Sequence, residues 1–184
     1  VLTLTNSTLS GNTANGSCSL YGGGGAIDQW GSGASAVIVN STIVGNTSAS
    51  PNEARSGIWL ENGTLTLRNS IVANNNGAYN FLLSGRTLTA DGYNRSNAWK
   101  GLTIDAVGLT TGPLLGTLAD NGGEKQTRAL LLNSPAIDAG DPANCPATDQ
   151  RGLPRADLRC DIGAFELLPD DNLITDIFLP FLRR

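Results

Sequence analysis

Two acidic residues and two tryptophans have the types and spacing that a carbohydrate site needs. Asp28 and Glu61 follow similar short apolar segments, and each lies near a tryptophan, Trp30 or Trp59. Paired carboxylates are sufficient for glycoside hydrolysis, and indole rings offer a broad apolar face to a sugar ring. The competing interpretation, which we favour, is that these are ordinary outward residues of exposed strands and turns.

Four aspartates in the C-terminal part of the chain are candidate metal ligands, because carboxylate oxygens suit Ca²⁺. Their spacing matches no EF-hand loop, and aspartates in segments rich in glycine and proline commonly form Asx turns. Nearby arginines, Arg151, Arg155 and Arg159, are alternative partners. Calcium is therefore the less favoured interpretation, and no other cofactor is expected. The four candidate ligands are Asp138, Asp141, Asp149 and Asp161.

The composition of the 184-residue chain excludes several classes of protein. The chain contains no histidine, which excludes Ser-His-Asp catalysis and histidine metal ligands. Its net charge of -4 argues against nucleic acid or an anionic membrane as a partner. No run of about 18 apolar residues is present, so no transmembrane segment is expected.

The chain has three cysteines, none with the close paired spacing of a zinc site. Cys145 and Cys160 lie in one segment rich in Pro, Gly and Asp, where a disulfide would stabilise irregular backbone. We predict that these two cysteines are bonded, which indicates an oxidising, extracellular environment. Cys18 then has no predicted partner.

A sequence repeat supplies the elements that would position these residues. Three close copies occur: "LTLTNSTLSGN" from Leu2, "AVIVNSTIVGN" from Ala36 and "LTLRNSIVANN" from Leu65. Apolar residues alternate before the first asparagine of each copy, which is the period of a half-buried strand. One copy cannot bury its apolar face, whereas stacked copies can. We predict an all-β fold, a right-handed parallel β-helix with an irregular C-terminal capping module.

The predicted organisation has three segments. Coils of the β-helix cover residues 1–91, after which the repeat has decayed. A terminal module dense in Gly, Pro and Asp covers 92–168, and a linker with an apolar strand covers 169–184. Variable segments between the copies are expected in outward loops.

The polar positions of the repeat are predicted to stack in ladders. Parallel strands repeat at about 4.8 Å, so equivalent amides or hydroxyls of successive coils can hydrogen-bond to one another. Several of these asparagines also begin N-x-[ST] sequons, which leaves glycosylation as the alternative. We favour ladders because the residues keep step with the apolar positions. The predicted ladders are Asn6, Asn40 and Asn69, and Ser7, Ser41 and Ser70.

The C-terminal half resembles a family signature. The pieces are "GPLLGTLADNGG", "QTRALLLNSPAIDAGD", "CPATDQRGLPR" and "CDIGAFE". They resemble the C-terminal signature of bacterial secreted proteins with a choice-of-anchor Q domain, and the repeats look like the β-helix coils that precede it there. The resemblance implies a large extracellular or cell-surface protein, and no shared catalytic residues. Arg128 stands where relatives often have a histidine.

Both ends of the chain are predicted to take part in assembly. The chain begins within a repeat, without Met or a signal-like segment, which indicates a processed or truncated form. Its first strand would have an unpaired edge, to which the apolar C-terminal segment of another copy could add. Such a head-to-tail contact does not close on itself and builds a filament. The residues assigned to it are Val1, Leu2, Leu4, Ile177, Phe178, Leu179 and Phe181.

These features together indicate a non-enzymatic, structural or adhesive protein that is secreted to the bacterial cell surface and forms a head-to-tail homopolymer. Surface glycans are a further candidate partner. The alternative is a carbohydrate-binding protein, or a polysaccharide lyase or glycoside hydrolase. Its site would lie around Asp28, Trp30, Trp59 and Glu61.

Overall fold

The described part of the chain is all β, which confirms the predicted class. The structure is a computed structural model that describes residues 1–15, 24–29, 31, 33–48, 55–60, 63–77, 79–83, 87–90, 93–96, 99–100, 108–109, 112–155, 159–169 and 171. Besides strands, these residues form a short 3-10 turn at Pro142–Asn144. Within them, no helix has the length and apolar character needed to cross a lipid bilayer.

The strands are short, from two to six residues long. Short strands that end in turns agree with the sequence, in which the apolar residues of each repeat alternate over only a few positions. In chain order the strands are β1 (Leu2–Thr5), β2 (Thr8–Ser10), β3 (Thr13–Ala14), β4 (Ile27–Gln29), β5 (Ser35–Val39), β6 (Thr42–Val44), β7 (Thr47–Ser48), β8 (Arg55–Leu60), β9 (Thr64–Arg68), β10 (Ile71–Ala73), β11 (Tyr79–Leu83), β12 (Thr87–Ala90), β13 (Arg95–Ser96), β14 (Trp99–Lys100), β15 (Gly108–Leu109), β16 (Leu115–Ala119) and β17 (Thr127–Leu130).

Three parallel sheets are built from the strands of successive repeats. The first sheet has the order β1-β5-β9-β12, the second β15-β13-β10-β6-β2, and the third β14-β11-β8-β4. In the first sheet Leu4 lies opposite Ile38, and Ile38 lies opposite Leu67. This is the register that a gap-free alignment of the three copies predicts. Strands β3 and β7 form a further short parallel pair.

The main core combines side chains from all three sheets. Its packing explains the alternation along β5, where Ala36 and Ile38 are buried and their neighbours are not. Leu2, Leu4 and Leu9 of the first repeat are partly buried against the same core. Its buried members are Ile27, Ala36, Ile38, Ile43, Ile58, Leu60, Leu65, Leu67, Val72 and Phe81.

The central strands of the second sheet, β6 and β10, are buried on both faces. Ile43 and Val72 point into the main core. Their neighbours on the same strands, Val44, Ile71 and Ala73, belong to a second apolar cluster on the opposite face. This explains why every residue of β6 and β10 is buried. The cluster is completed by Ala129, Leu130, Ala136, Ile162 and Phe165 of the C-terminal part.

The C-terminal module, whose described residues are 112–155, 159–169 and 171, lies along the stack of strands. It contains the antiparallel hairpin of β16 and β17 and otherwise irregular backbone. Asn6 donates to it at Thr148, Asn40 at Asp161 and Asn69 at Asp141, so it contacts all three copies of the repeat.

The predicted capping module covers one side of the strand stack. The physical reason is that the second sheet has outward apolar residues, Val44, Ile71 and Ala73, which the described part of the module buries. Parallel pairing also continues beyond residue 91, because β13 pairs with β10 and β15 pairs with β13. The last strands of the stack thus follow the predicted segment boundary.

Candidate functional site

Two of the four proposed carbohydrate residues, Asp28 and Trp59, lie in the described part of the chain, on neighbouring strands. Asp28 is exposed on β4, and its register partner on β8 is Trp59. The Trp59 residue is only 3% exposed, so its ring offers no open platform for a sugar. Trp30 and Glu61 lie outside the described residues. The carbohydrate site stays a prediction.

The serine positions of the repeat are linked in a row, but through backbone N–H donors and not from hydroxyl to hydroxyl as predicted. The backbone N–H of Ser7 donates to Ser41 Oγ at 3.3 Å, and the N–H of Ser41 donates to Ser70 Oγ at 3.2 Å. The N–H of Ser70 donates to Asn94 Oδ1 at 2.9 Å, which continues the row into the next coil. Each hydroxyl in turn donates to the carbonyl two residues earlier. The row therefore satisfies turn backbone from one repeat to the next.

The predicted amide ladder of Asn6, Asn40 and Asn69 is corrected. All three residues have left-handed backbone, with φ of 47°, 41° and 45°, a conformation that asparagine tolerates better than most residues. Their side-chain amides donate to carbonyls of the C-terminal module instead of to one another. Asn40 is also fully buried, which leaves no room for a glycan there. These three residues are the turn asparagines.

A different asparagine ladder runs from the exposed Asn12 into the interior, and the ladder prediction did not include it. Asn12 Nδ2 donates to Asn46 Oδ1, Asn46 Nδ2 to Asn75 Oδ1, and Asn75 Nδ2 to Asn80 Oδ1, each at 2.9 Å. Asn46 is fully buried and Asn75 is 8% exposed. The signal was present in the sequence, since the first three residues of this ladder are the last asparagines of the three copies.

The predicted disulfide is confirmed. Cys145 and Cys160 are bonded, with their Cα atoms 6.1 Å apart. The amide of Asn69 lies 3.7 Å from the first sulfur and 3.6 Å from the second, and the amide of Asn40 lies 3.7 Å from Cys160 Sγ. The bond therefore lies against the turn asparagines. Cys18 lies outside the described residues.

Buried ion pairs hold the irregular part of the C-terminal module. Arg151 pairs with Asp149 at 2.8 Å and with Asp171 at 3.0 Å, and its guanidinium lies 3.8 Å from the ring centre of Phe165. Burial by itself lowers the pKa of Arg151, but the hydrogen bonds and charges of its two carboxylate partners outweigh it and raise the pKa.

A second buried pair joins Arg155 and Glu166, whose side chains are 1% and 0% exposed. Arg155 also donates to the carbonyls of Asp161 and Gly163 and to Asn6 Oδ1, so with Glu166 it binds four points of the chain. Glu166 was not among the candidate residues, because nothing in its local sequence shows that it is buried. The predicted pairing of module arginines with carboxylates holds for Arg151, and for Arg155 with this different partner.

Three of the four candidate calcium ligands, Asp141, Asp149 and Asp161, use their carboxylates to bind the protein itself. Asp149 accepts from Arg151, Leu153 and Glu166 N–H groups. Asp141 caps the 3-10 turn by accepting from Ala143 N. Two further candidates, Asp138 and Asp161, meet through a hydrogen bond from the backbone N–H of the former to the carboxylate of the latter at 2.7 Å. Within the described residues no three such side chains are grouped as metal ligands. Calcium binding stays a prediction.

Asp161 makes stability depend on pH. Burial raises the pKa of its carboxyl from 3.8 to about 6, against the opposing effect of N–H donors from Leu167 and Asp138. The folded state holds this proton more tightly than the unfolded state does. The stabilisation that results is therefore present below about pH 4 and is lost as pH rises through about 6.

We therefore expect wild type to lose stability relative to Asp161→Asn between about pH 4.5 and pH 7.5, since only wild type titrates at this position. Urea midpoints of both proteins across that range provide the measurement. A difference between the two proteins that does not change with pH would contradict the shifted carboxyl.

The residues assigned to assembly are only partly described. Val1 is 98% exposed, and Leu2 and Leu4 are partly buried against the main core. Within the described residues β1 pairs with β5 alone. Ile177, Phe178, Leu179 and Phe181 lie outside the described residues, so their part in assembly stays a prediction.

Fold and site together define an all-β protein of parallel sheets, with a disulfide-bonded module held along them. Comparison of the chain with family models, curated proteins and solved structures yields no match. The choice-of-anchor Q resemblance therefore depends on its quoted motifs alone.

Proposed function

We propose that the protein is a right-handed parallel β-helix with a structural role at the bacterial cell surface. The observation that carries this proposal is the use of its buried polar side chains. Ser41, Asn46 and Asn69 join repeat to repeat or repeat to module, and Arg151 and Arg155 join distant parts of the module. The polar chemistry of the described residues thus serves to hold one shape.

The order in which the chain visits the sheets supports the β-helix. From β1 it passes to β2 in the second sheet, to β4 in the third, and back to the first at β5, and the next repeat follows the same course. Crossover connections between parallel strands of one sheet are right-handed in about 98% of cases, which supports the proposed hand.

The extracellular location is supported by two features. The Cys145–Cys160 disulfide is typical of oxidising compartments. The motifs that resemble the choice-of-anchor Q signature belong to secreted bacterial proteins. A structural or adhesive role at the surface agrees with both features.

A panel of polysaccharides separates this proposal from the enzymatic alternative. We expect wild type to release neither new reducing ends, the product of hydrolysis, nor unsaturated uronates, the product of a lyase. Turnover that is present in wild type and lost in Asp28→Asn or Glu61→Gln would overturn the structural role. The same polysaccharides, immobilised, test adhesion without turnover.

Head-to-tail assembly is the second part of the proposal and is tested separately. Mass measurement over a concentration series, with negative-stain microscopy at the highest concentration, shows whether copies associate. Filaments that lengthen with concentration would support assembly through the β1 edge. A monomer at every concentration would contradict this second part and leave the architecture unaffected.

A further inference from the structure

The disulfide joins two segments of the C-terminal module that bind the strand stack separately. In the first segment, the backbone N–H of Asp141 donates to Asn69 Oδ1 at 2.8 Å. In the second, the N–H of Gly163 donates to the carbonyl of Asn69 at 2.8 Å, and that of Ala164 donates to Thr42 Oγ1 at 3.0 Å. Breaking the bond would leave the two segments joined by hydrogen bonds, such as that from Gly140 N–H to the carbonyl of Cys160 at 2.8 Å and that from Ile162 N–H to the carbonyl of Ala136 at 2.9 Å.

The contact around the second segment is close and apolar. Gly163 has a φ of +108°, and a Cβ at this position would lie 2.8 Å from Thr42 Oγ1 and 2.9 Å from Ile71 Cδ1. Ile162 and Phe165, on either side, bury the outward residues of the second sheet. Separation of the segment from the stack would therefore expose an apolar sheet face that is now covered.

The stack has its own connections, which do not involve the module. Its strands pair with one another, and the serine row and the interior asparagine ladder link successive repeats. The sulfur atoms, in contrast, lie at the boundary itself, within 3.7 Å of amides of the turn asparagines. A local opening at this boundary can therefore occur while the stack stays folded.

We propose that the Cys145–Cys160 bond is a redox latch that holds the C-terminal module closed over the second sheet. A dithiol reductant transfers two electrons and two protons to the bond, which yields two cysteine thiols and the cyclic disulfide of the reductant. Reduction then allows the segments around Asp141 and Gly163 to leave the stack and exposes the sheet surface around Ile71 that the second segment now covers. This inference is independent of the proposed surface role.

Hydrogen exchange measured residue by residue tests the latch. Closing a loop of this length is worth about 100-fold in an opening equilibrium, so reduction with dithiothreitol should speed exchange at the boundary by about that factor. The reporting amides are Asp141, Gly163 and Ala164, which donate across the boundary. The reference amides are those of Thr42 and Ile71, which donate to the preceding repeat within the stack.

The same measurement on Cys145→Ser with Cys160→Ser, in a Cys18→Ser background, removes any effect of the reductant itself. Cys18→Ser alone is the matched control and should exchange like wild type. Faster exchange confined to the boundary amides would support the latch. Unchanged boundary exchange, or equal acceleration at Thr42 and Ile71, would overturn it, since the bond would then hold nothing or would stabilise the whole fold.

Discussion

Replacement of Glu166 by glutamine is expected to lower the free energy of unfolding by about 3–5 kcal/mol. The change keeps the shape of the side chain and removes the charge that compensates Arg155, whose side chain is 1% exposed. It also weakens the acceptor at Glu166 Oε2 for the backbone N–H of Asp161, a bond of 2.9 Å. Urea unfolding of both proteins at neutral pH measures the loss.

The exposed carboxylate Glu124 provides the matched control, because Glu124→Gln removes a charge from a solvated position. We expect that variant to change stability by no more than about 0.5 kcal/mol. A double variant, Arg155→Met with Glu166→Leu, should recover part of the loss, since no charge is then left buried. Equal effects of Glu166→Gln and Glu124→Gln would contradict the importance of the buried pair.

The second large effect is expected from Asn46→Ala, at about 2–4 kcal/mol of unfolding free energy. Asn46 is fully buried, and its amide donates to the carbonyl of Leu9 at 3.1 Å and to Asn75 Oδ1 at 2.9 Å. Its Oδ1 accepts from both nitrogen donors of Asn12. Alanine removes all of these side-chain hydrogen bonds from a buried position, where unsatisfied polar groups are costly, and Asn75 Oδ1 keeps only the backbone N–H of residue 46 from this position.

Two further variants, studied by the same urea unfolding, test whether the loss of stability comes from the ladder. Asn76 is exposed and makes one side-chain bond to Thr47, so Asn76→Ala should cost no more than about 1 kcal/mol. Asn46→Asp keeps the acceptor but cannot donate, and it places a carboxylate opposite Asn75 Oδ1. We expect it to be as damaging as Asn46→Ala. A mild effect of both Asn46 variants would show that the ladder is dispensable.

Much of the strand architecture is predictable from the repeat, because local spacing alone determines it. Alternation at Leu2 and Leu4 indicates strands, and the alignment that superposes Leu4, Ile38 and Leu67 is also the observed register. Equivalent residues must stack when each copy needs a neighbour to bury its apolar face. The Cys145–Cys160 pair was predictable for a similar reason, since both residues lie in one short irregular segment.

The directions of the polar side chains were less predictable, although their positions were visible. Asn6 and Asn12 belong to the same copy, yet the amide of the first donates out to the C-terminal module and that of the second donates to Asn46 in the interior. Left-handed backbone at Asn6 is one local reason for this difference. Sequence alignment registers both positions equally and does not show which side chain bonds to the next repeat and which to the C-terminal module.

The sequence by itself therefore determined the all-β class, the register of the repeats and the disulfide pair, because these depend on periodicity and short spacing. Only the tertiary structure decided that the C-terminal module lies along the stack and that Glu166 pairs with Arg155 inside it. The physical reason is distance along the chain. Asn6 binds Thr148, which is 142 residues away in the sequence. Such contacts form where an apolar face of the stack and one of the C-terminal module, each of which would be exposed in isolation, bury one another.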